Sequence, residues 1–428
     1  MAAPPTDLVF PELAANIDAA RFARCDGIIN RFFERTLLTA SDDLPFLITG
    51  DIPAMWLRDS TWQVNPFFHS RHPDVGVMLA DVSRAQVRYV LIDPYANAFN
   101  SSANGNCWHK DFPHQSDWVF ERKFELDSLA SVLYLARRIV EVFGITDHVD
   151  AKFRTAVAGM VQLAIREQHH DPESYVFVRA GAPAHDAPSH AGRGAPVAYT
   201  GMVWSGFRPS DDACVYGYHV PSNLFFANEL RALPSVLAAA APLAADASAD
   251  AAAQAANDAA LVALATRLAD DIASGVRAHA LTDRGYAYEV DGLGNALHGD
   301  DANVPSLLSL PYLGVCSPDD PAYLATRQQV LSTSNPWYFR GNVLRGIGSQ
   351  HTPARHAWPI AIAIEAMTST NPNDMLAAVN LLERTDDGTG CIHESVHVDD
   401  PSQFTREWFS WADMTWLDLV LRATRRPG

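Results

Sequence analysis

Apolar side chains recur at helical spacing along most of this 428-residue chain. Within each such stretch the apolar positions repeat every three or four residues, which places them on one face of a helix. The longest stretches predict helices over residues 13–38, 74–91, 125–143, 149–169 and 258–280. Shorter stretches predict helices over residues 221–233, 304–310, 321–332, 353–368, 373–384 and 405–425. We expect Pro234 to end or kink the helix that begins at Pro221, because proline removes a backbone hydrogen bond.

A chain of eleven or twelve amphipathic helices predicts an all-α fold in which paired helices close into a ring. In such an α/α barrel, loops of the inner helices meet at one end and form a cleft there. Residues 282–300 alternate polar and apolar side chains around glycines and predict a β-hairpin. We expect residues 1–12 to form an irregular N-terminal arm and residues 13–428 a single domain. The alanine-rich residues 238–260 predict an insertion made of a linker and a surface helix.

The composition argues against several classes of partner. The formal net charge is −18, and a chain this acidic repels the phosphates of nucleic acid. The sequence contains no run of ~18–20 apolar residues as in a membrane span, and its first residues lack the pattern of a secretory signal. The five cysteines are scattered without a CxxC pair, which is typical of free thiols in a reducing compartment. We therefore expect a cytoplasmic protein that binds neither membranes nor nucleic acid.

The stretch TGMVWSGFRPSDDACVYGYHVPSN, residues 200–223, combines aromatic, acidic and glycine positions. Its aromatic side chains accompany one arginine and two adjacent acids, Arg208, Asp211 and Asp212. Aromatic faces stack on the C–H face of a pyranose, and carboxylates bind sugar hydroxyls or transfer protons. The stretch is thus typical of a sugar site, although an exposed acidic turn before a helix explains an isolated Asp-Asp pair equally well.

Two earlier loops carry similar chemistry, GDIPAMWLRDS at residues 50–60 and the polar stretch from residue 97 to 128. In the first, an arginine and an aspartate follow a tryptophan, and they either hold sugar hydroxyls or form a structural ion pair. In the second, amide and imidazole side chains are candidate substrate contacts, and charged side chains mark a helix start, where acids favour the helix dipole. The candidates in the two loops are Trp56, Arg58, Asp59, Asn104, His109, Arg122 and Glu125.

Two later stretches, residues 334–359 and 391–411, complete the set. In the former, His351 lies in a glycine-rich loop just before a predicted helix. The latter contains HESVH at residues 393–397, a formal match to the HExxH pattern of zinc peptidases. That pattern requires a sustained helix with both histidines on one face. Because glycines precede HESVH and Asp-Asp-Pro follows it, we expect Glu394 to be a carboxylate on a loop, and we expect no metal.

Two acids far apart in the sequence, Glu394 and one of Asp211 and Asp212, provide the pair of carboxyl groups that glycoside hydrolysis requires. With these residues in place, the chain resembles glycoside hydrolase family 125. The resemblance covers residues 13–424 and rests on GDIPAMWLRDS, WSGFRPSDDACVYGYHVPSN, GIGSQHTP and HESVHVDDPSQFTREWFSWA. It implies an (α/α)6 barrel with loop and short-strand insertions, and a metal-independent exo-α-1,6-mannosidase that inverts the anomeric carbon without a cofactor.

The resemblance also implies roles for individual residues. The general acid is either Asp211 or Asp212, and the general base is Glu394. Residues 100–111 depart from the pattern expected for the family, which bears on the sugar beyond the terminal mannose. The alternatives are a zinc-dependent peptidase built on HESVH, a non-catalytic carbohydrate-binding barrel, and a different glycosidase such as a glucosidase. The contacts that the resemblance implies for a mannose pocket, and so for mannoside substrates, are Arg58, Asp59, Arg122, Glu125, Arg208 and His351.

Overall fold

A computed structural model describes residues 5–241 and 249–424 of the chain. A π-helical turn, Phe32–Thr36, follows α3, and a 3-10 turn, Asn65–His69, follows α4. Helix α8 is a single irregular turn. The α-helices are α1 Thr6–Val9, α2 Pro11–Asn16, α3 Ala19–Arg31, α4 Leu57–Val64, α5 Pro73–Ile92, α6 Leu126–Phe143, α7 Ala151–Glu167, α8 Ser189–Gly192, α9 Val220–Ala239, α10 Ala249–His279, α11 Pro321–Val330, α12 Pro359–Met367, α13 Asn373–Glu383 and α14 Ser410–Thr424.

Helices α4, α6, α9, α12 and α14 form the inner ring. Helix α4 packs between α14 and α6, α6 packs on α9, and α12 packs on α14. The buried segment 306–313 takes the sixth inner position. It lies against α9, where the side-chain amide of Asn228 donates a hydrogen bond to the carbonyl of Leu313 at 3.4 Å.

An aromatic cluster fills the axis of this ring. The Trp62 ring, on α4, contacts the rings of Tyr134, Phe225 and Tyr312 at centroid distances of 5.0, 5.9 and 5.7 Å. The Tyr312 hydroxyl donates to Asp418 on α14 at 2.7 Å. The cluster therefore ties together side chains from four of the six inner positions, with α14 joined through Asp418.

The remaining long helices, α3, α5, α7, α10, α11 and α13, form an outer layer. Helix α5 packs on α6 and α7, α10 packs on α9 and α7, α13 packs on α12 and α14, and α3 packs on α14. Arg327 of α11 donates to the carbonyl of Glu365 on α12 at 2.8 Å. Two layers of paired helices around one axis form an (α/α)6 barrel, which confirms the fold predicted from the sequence.

Short antiparallel strands cover the end of the barrel at which the inner helices begin. Strand β3 leads into α4, β5 into α6, β6 into α9, β13 into α12 and β15 into α14. The hairpin predicted over residues 282–300 is confirmed as β9–β10, and β7–β8 forms another just before it. The strands are β1 Leu37–Thr39, β2 Pro45–Leu47, β3 Met55–Trp56, β4 Ala98–Phe99, β5 Val119–Glu121, β6 Tyr218–His219, β7 Leu281–Thr282, β8 Gly285–Tyr286, β9 Glu289–Val290, β10 Ala296–Leu297, β11 Tyr338–Arg340, β12 Arg345–Ile347, β13 His356–Ala357, β14 Ser395–His397 and β15 Phe404–Thr405.

Two helix predictions were wrong for identifiable reasons, and others were wrong at their bounds. Helix α12 begins only at Pro359, after strand β13, and α14 begins only at Ser410, after β15, while the stretch 13–38 is divided between α2 and α3 and ends in β1. Helix α9 continues past Pro234, because the side chains of Leu233 and Val236 on either side of it are buried and their packing outweighs the lost hydrogen bond. Residues 304–310 form turns rather than a helix. The Asp300 carboxylate accepts hydrogen bonds from the backbone N–H groups of Leu307 and Leu308, each at 2.8 Å. These bonds compete with the backbone hydrogen bonds of a helix.

Two further segments differ from their predictions, and a third lies partly outside the described residues. The end of the predicted loop 50–60 forms β3 and the start of α4. Helix α4 is eight residues long and buries polar side chains such as Arg58, Asp59 and Gln63, so apolar spacing does not mark its buried face. The described part of the predicted arm, residues 5–12, forms α1 and the start of α2 rather than irregular chain. In the alanine-rich stretch 238–260, α9 ends at Ala239 and α10 begins at Ala249, so its second part is helical, as predicted. Residues 242–248, where the linker was predicted, lie outside the described residues.

The structure also bears on two expectations from the composition, those on membrane spans and on the cysteines. Among the described helices, none combines the length and the apolar character that crossing a bilayer requires. The five cysteines, all within the described residues, are free thiols, as predicted.

Candidate active site

A cavity of about 350 Å³ opens at the end of the barrel where the inner helices begin. Trp56 and Arg58 line it at the start of α4, Trp358 before α12, and Phe409 and Trp411 at the start of α14. Loops that carry the sequence motifs complete the wall. Aromatic walls with a polar base suit a small polar ring compound with apolar faces.

Glu394 lines the cavity from the segment before β14. The Arg406 guanidinium contacts its Oε1 at 3.4 Å. Arg406 is itself held in place, because it donates to the hydroxyl of Thr49 at 2.9 Å and to the carboxylate of Asp51 at 2.8 Å. A fixed cation therefore orients Glu394 from one side.

Asp211 lines the cavity from the loop before α9. Its backbone has φ 65°, in the left-handed region, which aspartate adopts more readily than most residues. The Lys123 ammonium donates to its carbonyl oxygen at 2.7 Å. Its carboxylate Oδ1 accepts from Arg58 Nη2 at 3.3 Å and from Asn97 Nδ2 at 3.2 Å. Backbone and side chain of Asp211 are thus both fixed by buried donors.

Asp212 has different partners from its neighbour. Its carboxylate accepts from the Ser210 hydroxyl at 3.2 Å, and the His351 ring Nδ1 lies 3.8 Å from it. Reduced hydration opposes protonation of His351, but its contact with Asp212 and the charges of Asp212, Glu394 and Asp211 raise its pKa to about 9. His351 is therefore a cation near neutral pH, placed between the acidic groups of the cavity.

One guanidinium serves four carboxyl groups beneath the cavity. Arg58 lies 2.5 Å from Glu125, 3.3 Å from Asp127, 3.3 Å from Asp211 and 3.4 Å from Asp59. Burial raises the pKa of Asp59 to about 6 in spite of Arg58, and the negative charge of Asp211 adds to this effect.

Burial also raises the pKa of Asp127 in spite of Arg58, and the pKa shifts of Glu125 and Asp211 have opposite directions. Burial raises the pKa of Glu125 well above its ordinary value, opposed by Arg58 and reinforced by the charges of Asp211 and Asp127. Burial alone would raise the pKa of Asp211 too, but Arg58, the hydrogen bond with Glu125 and the charge of Lys123 hold it below its ordinary value. The pKa of the fully buried Glu125 is thus raised, whereas the pKa of Asp211, which lines the cavity, is lowered.

The family model of the metal-independent α-mannosidases, GH125, matches residues 23–421 of the chain. The chain belongs to glycoside hydrolase family 125. The match spans all the motif-bearing loops and both layers of the barrel. It confirms the resemblance that the sequence motifs carry.

This family-125 chain is similar to two relatives along most of its length, and it shares its fold with a more distant structure. A metal-independent α-mannosidase of Streptococcus pneumoniae, solved in a non-productive complex with α-1,6-mannobiose, is 40% identical with a TM-score of 0.88 over 95% of each chain. The "Meiotically up-regulated gene 157 protein" of Schizosaccharomyces pombe is 35% identical over 408 residues, which are 89% of this chain and 77% of that protein. A wild-type glycosidase that is 16% identical, with a TM-score of 0.53 over 95% of this chain and 99% of its own, shares the fold alone.

The structure of this family-125 chain brings most predicted site residues to one place. Glu125 and Asp212 lie just behind the cavity, in contact with Arg58 and beside His351 respectively. The functional roles of these residues stay predictions. The predicted residues that line the cavity itself are Trp56, Arg58, Asp59, His109, Asp211, His351 and Glu394.

Three predicted substrate contacts are not at the cavity. Arg208 is 0% exposed and pairs with Glu289 at 2.6 Å, so it is a buried structural cation. Arg122 donates to Asp93 at 2.6 Å and lies outside the cavity lining. Asn104 is exposed on a loop where its side chain bonds the local backbone. All three residues lie in or beside the motifs, but their side chains point away from the cavity.

Three residues that hold the site together were not predicted from the sequence. Asn97 and Lys123 are buried and bond Asp211, and Arg406 bonds Glu394. Lys123 had a signal, because a lysine in a charged stretch before a buried helix needs a partner. Asn97 and Arg406 had none, since their partners are far away in the sequence.

The HESVH stretch does not form the helix that a zinc peptidase requires. Residues 395–397 form strand β14, paired with β13 and β15. The two ring nitrogens of His393 lie 2.8 Å from the carbonyl of Glu407 and 3.2 Å from the carbonyl of Asp386. Both nitrogens are therefore engaged by backbone oxygens, and this geometry argues against a zinc site there.

Proposed function

We propose that this chain is an exo-acting glycoside hydrolase that removes terminal α-1,6-linked mannose from mannose-containing oligosaccharides, with inversion. The carrying observation is that Asp211 and Glu394, from loops far apart in the sequence, line one cavity with aromatic walls. Two carboxyl groups flanking a sugar are what hydrolysis of a glycosidic bond requires. The α-1,6-mannobiose bound to the S. pneumoniae relative supports the linkage.

Exo action follows from the closed base of the cavity. Arg58 and Asp59 line the cavity at the start of α4. One turn further along the same helix, Trp62 packs into the aromatic cluster that fills the barrel axis. A cavity that is closed behind its polar base accepts the end of a sugar chain rather than its middle. Trp108, 55% exposed and also lining the cavity, offers an aromatic face on the open side for the leaving sugar.

In the proposed mechanism Asp211 is the general acid, because it lines the cavity whereas Asp212 is buried behind it. Asp211 protonates the glycosidic oxygen as the bond to the anomeric carbon breaks. Glu394, oriented by Arg406, takes a proton from a water that attacks the anomeric carbon from the opposite face. The product is β-mannose and the shortened oligosaccharide.

Proton NMR of the purified protein with α-1,6-linked mannobiose and EDTA tests this proposal. Early β-mannose is expected, and it would establish substrate, inversion and activity without metal in one experiment. Early α-mannose would mean retention, with Glu394 as a nucleophile. Binding of mannobiose without turnover would favour a carbohydrate-binding barrel, and turnover of a glucoside in preference to the mannoside would favour a glucosidase.

Matched variants assign the acid and the base. Asp211→Asn and Glu394→Gln are each expected to lower kcat by about 100-fold or more, the usual contribution of a general acid or base. Asp212→Asn is the matched control and should lose less. If Asp212→Asn loses as much as Asp211→Asn on mannobiose but spares a substrate with an activated leaving group, the acid is Asp212.

A further inference from the structure

Two donors bridge Glu125 and Asp211. Arg58 points Nη1 at Glu125 Oε2 at 2.5 Å and Nη2 at Asp211 Oδ1 at 3.3 Å. The Asn97 side-chain nitrogen lies 3.1 Å from Glu125 Oε1 and 3.2 Å from Asp211 Oδ1. The two carboxyl groups therefore lie against the same two donors, and Asn97 Nδ2 is within 3.2 Å of an oxygen of each.

Two ionised carboxylates cannot hydrogen-bond each other, because neither carries a donor. A single proton between them changes this, since one carboxyl then donates to the other. Like-charged carboxyls in a buried site keep such a proton because the doubly ionised state is unfavourable. Because Glu125 and Asp211 lie against the same donors in a buried site, one shared proton is favoured over two separate negative charges.

The charges that face this pair from every side leave an excess of acid. The cations are Arg58 on α4, Lys123 after β5, His351 across the cavity, and Arg179, which lies 2.9 Å from Glu121 and 3.0 Å from Asp186. Against them stand three more carboxyl groups in the same cluster, Asp59, Asp127 and Glu121. Lys123 is shared further with Asp186 at 2.8 Å. The available positive charge does not neutralise all these groups as anions.

Burial differs between the two members. The Glu125 side chain is 0% exposed, whereas that of Asp211 is 21% exposed and lines the cavity. Glu125 is fixed further by Ser128, whose hydroxyl donates to its Oε2 at 3.0 Å. A proton on Glu125 is thus shielded from water and reaches the cavity through Asp211.

We propose that Glu125 and Asp211 share one proton, and that Glu125 is the positioning residue that keeps Asp211 supplied with it. The inference rests on the proposed function, in which Asp211 is the general acid. It resolves a conflict in that function, because the pKa of Asp211 is held low while a general acid must deliver a proton. The raised pKa of Glu125 agrees with storage on the buried member.

The proton balance of one turnover is complete. The shared proton passes from Asp211 to the glycosidic oxygen as that oxygen leaves the anomeric carbon, and the pair becomes doubly ionised. Arg58 and Lys123 stabilise that state for a short time. The proton that Glu394 takes from water is released to solvent, and the pair takes one proton back through the exposed edge of Asp211.

The pH dependence of kcat/KM on α-1,6-mannobiose tests the inference. In the wild type the basic limb reports loss of the shared proton from the pair. In Glu125→Gln, Asp211 titrates without a second acid beside it, so the basic limb is expected to move at least one pH unit lower. At pH 7 kcat/KM on mannobiose is then expected to fall at least about tenfold, whereas a dinitrophenyl α-mannoside, whose leaving group needs no proton, falls much less.

Asp127→Asn is the matched control. Asp127 is another buried carboxyl bound to Arg58 at 3.3 Å, and its second oxygen accepts from Ser222 rather than meeting Asp211. Its basic limb should move much less than that of Glu125→Gln. An unmoved limb in Glu125→Gln, or equal losses on both substrates, would overturn the inference and leave Glu125 as a structural partner of Arg58.

Infrared difference spectroscopy of the unliganded protein provides a readout that is independent of activity. Near pH 8, where Asp59 with its pKa of about 6 is ionised, a protonated carboxyl band of the wild type should disappear in both Glu125→Gln and Asp211→Asn, because both remove the same shared proton. If Glu125→Gln does not fold, Asp211→Asn alone must remove the band. If the variants lose the band but the wild type does not cleave mannosides, the proposed function is wrong and the shared proton stands. If the wild type cleaves mannosides but the variants keep the band, the proposed function stands and the shared proton is wrong.

Discussion

Asp59 contributes a pH-dependent cost to stability. Its side chain is 5% exposed, and burial raises its pKa to about 6, above the ordinary value of 3.8. Folding therefore favours the protonated form, so the cost is absent below pH 4 and grows as pH rises towards the folded-state pKa. Asp59→Asn removes it. We expect the stability of the variant relative to wild type to increase by about 2 kcal/mol between pH 4 and pH 7.

Urea unfolding of both proteins at the two pH values measures this difference. The variant is expected to lose mannosidase activity at the same time, because Asp59 lines the cavity. A stability difference that is equal at pH 4 and pH 7 would contradict the assigned environment of Asp59.

Residue identity was easier to predict from the sequence than residue direction. Asp211, Glu394 and Arg58 stand in dense motifs of glycine, aromatic and charged positions, and they do line the cavity. Arg208 stands in the same motif as Asp211 and is buried against Glu289 instead. The direction of a side chain depends on backbone dihedrals, such as the left-handed φ of 65° at Asp211, which the sequence pattern does not carry.

At the level of elements, Gly217 lets the loop that carries Asp211 pass close to a buried ring. A Cβ on Gly217 would lie 2.1 Å from the indole of Trp204. That indole cannot move aside, because it is buried and stacked on His170 at 3.5 Å. We expect Gly217→Ala to destabilise the protein by about 1–3 kcal/mol or more and to disturb the loop that presents Asp211.

Gly144 is the matched control for this substitution. It ends α6 with φ 67°, and a Cβ there would meet nothing within 4 Å. Gly144→Ala therefore has backbone strain alone, about 1 kcal/mol, and should leave kcat unchanged. Thermal unfolding and kinetics on mannobiose separate the two variants. Equal behaviour of the pair would contradict the close packing of Gly217 on Trp204.

Element predictions succeeded where apolar side chains mark the buried face of a long helix, and they failed where the buried side chains are polar. Helices α5 and α13 match their predicted stretches within one residue at each end. Helix α4, which carries Arg58 and Asp59 into the cavity, was missed because it is eight residues long and most of the side chains that it buries are polar. The element closest to the chemistry is thus the one whose hydrophobic pattern is least informative.

At the level of the whole molecule, the number of helices and the convergence of motif loops were sufficient to predict a barrel. The partners that hold those loops were not predictable, because they join parts of the chain that are distant in sequence. The Arg406 contact with Asp51 and the Arg31 contact with Asp413 are two such cases.

Arg31 and Asp413 join the first outer helix of the barrel, α3, to its last inner helix, α14. Arg31 donates to the Asp413 carboxylate at 3.0 and 3.2 Å, and Asp413 is 2% exposed. Burial raises the pKa of Asp413 in spite of Arg31. Arg31→Ala leaves that buried carboxylate without its cation, so we expect a loss of about 3 kcal/mol at pH 7 in urea unfolding.

A double-mutant cycle separates the buried charge from the packing of the two side chains. Asp413→Asn keeps an oxygen for the Ile392 N–H, which Asp413 now accepts at 2.8 Å, and removes the charge. The double variant should therefore be more stable than Arg31→Ala alone. Arg231→Ala is the exposed control, because Arg231 and Asp270 pair at 3.3 Å on the surface, where such pairs contribute about 0–1 kcal/mol. Additive losses in the cycle would mean that Arg31 stabilises the barrel through packing, and that the ring does not depend on this charge pair for its closure.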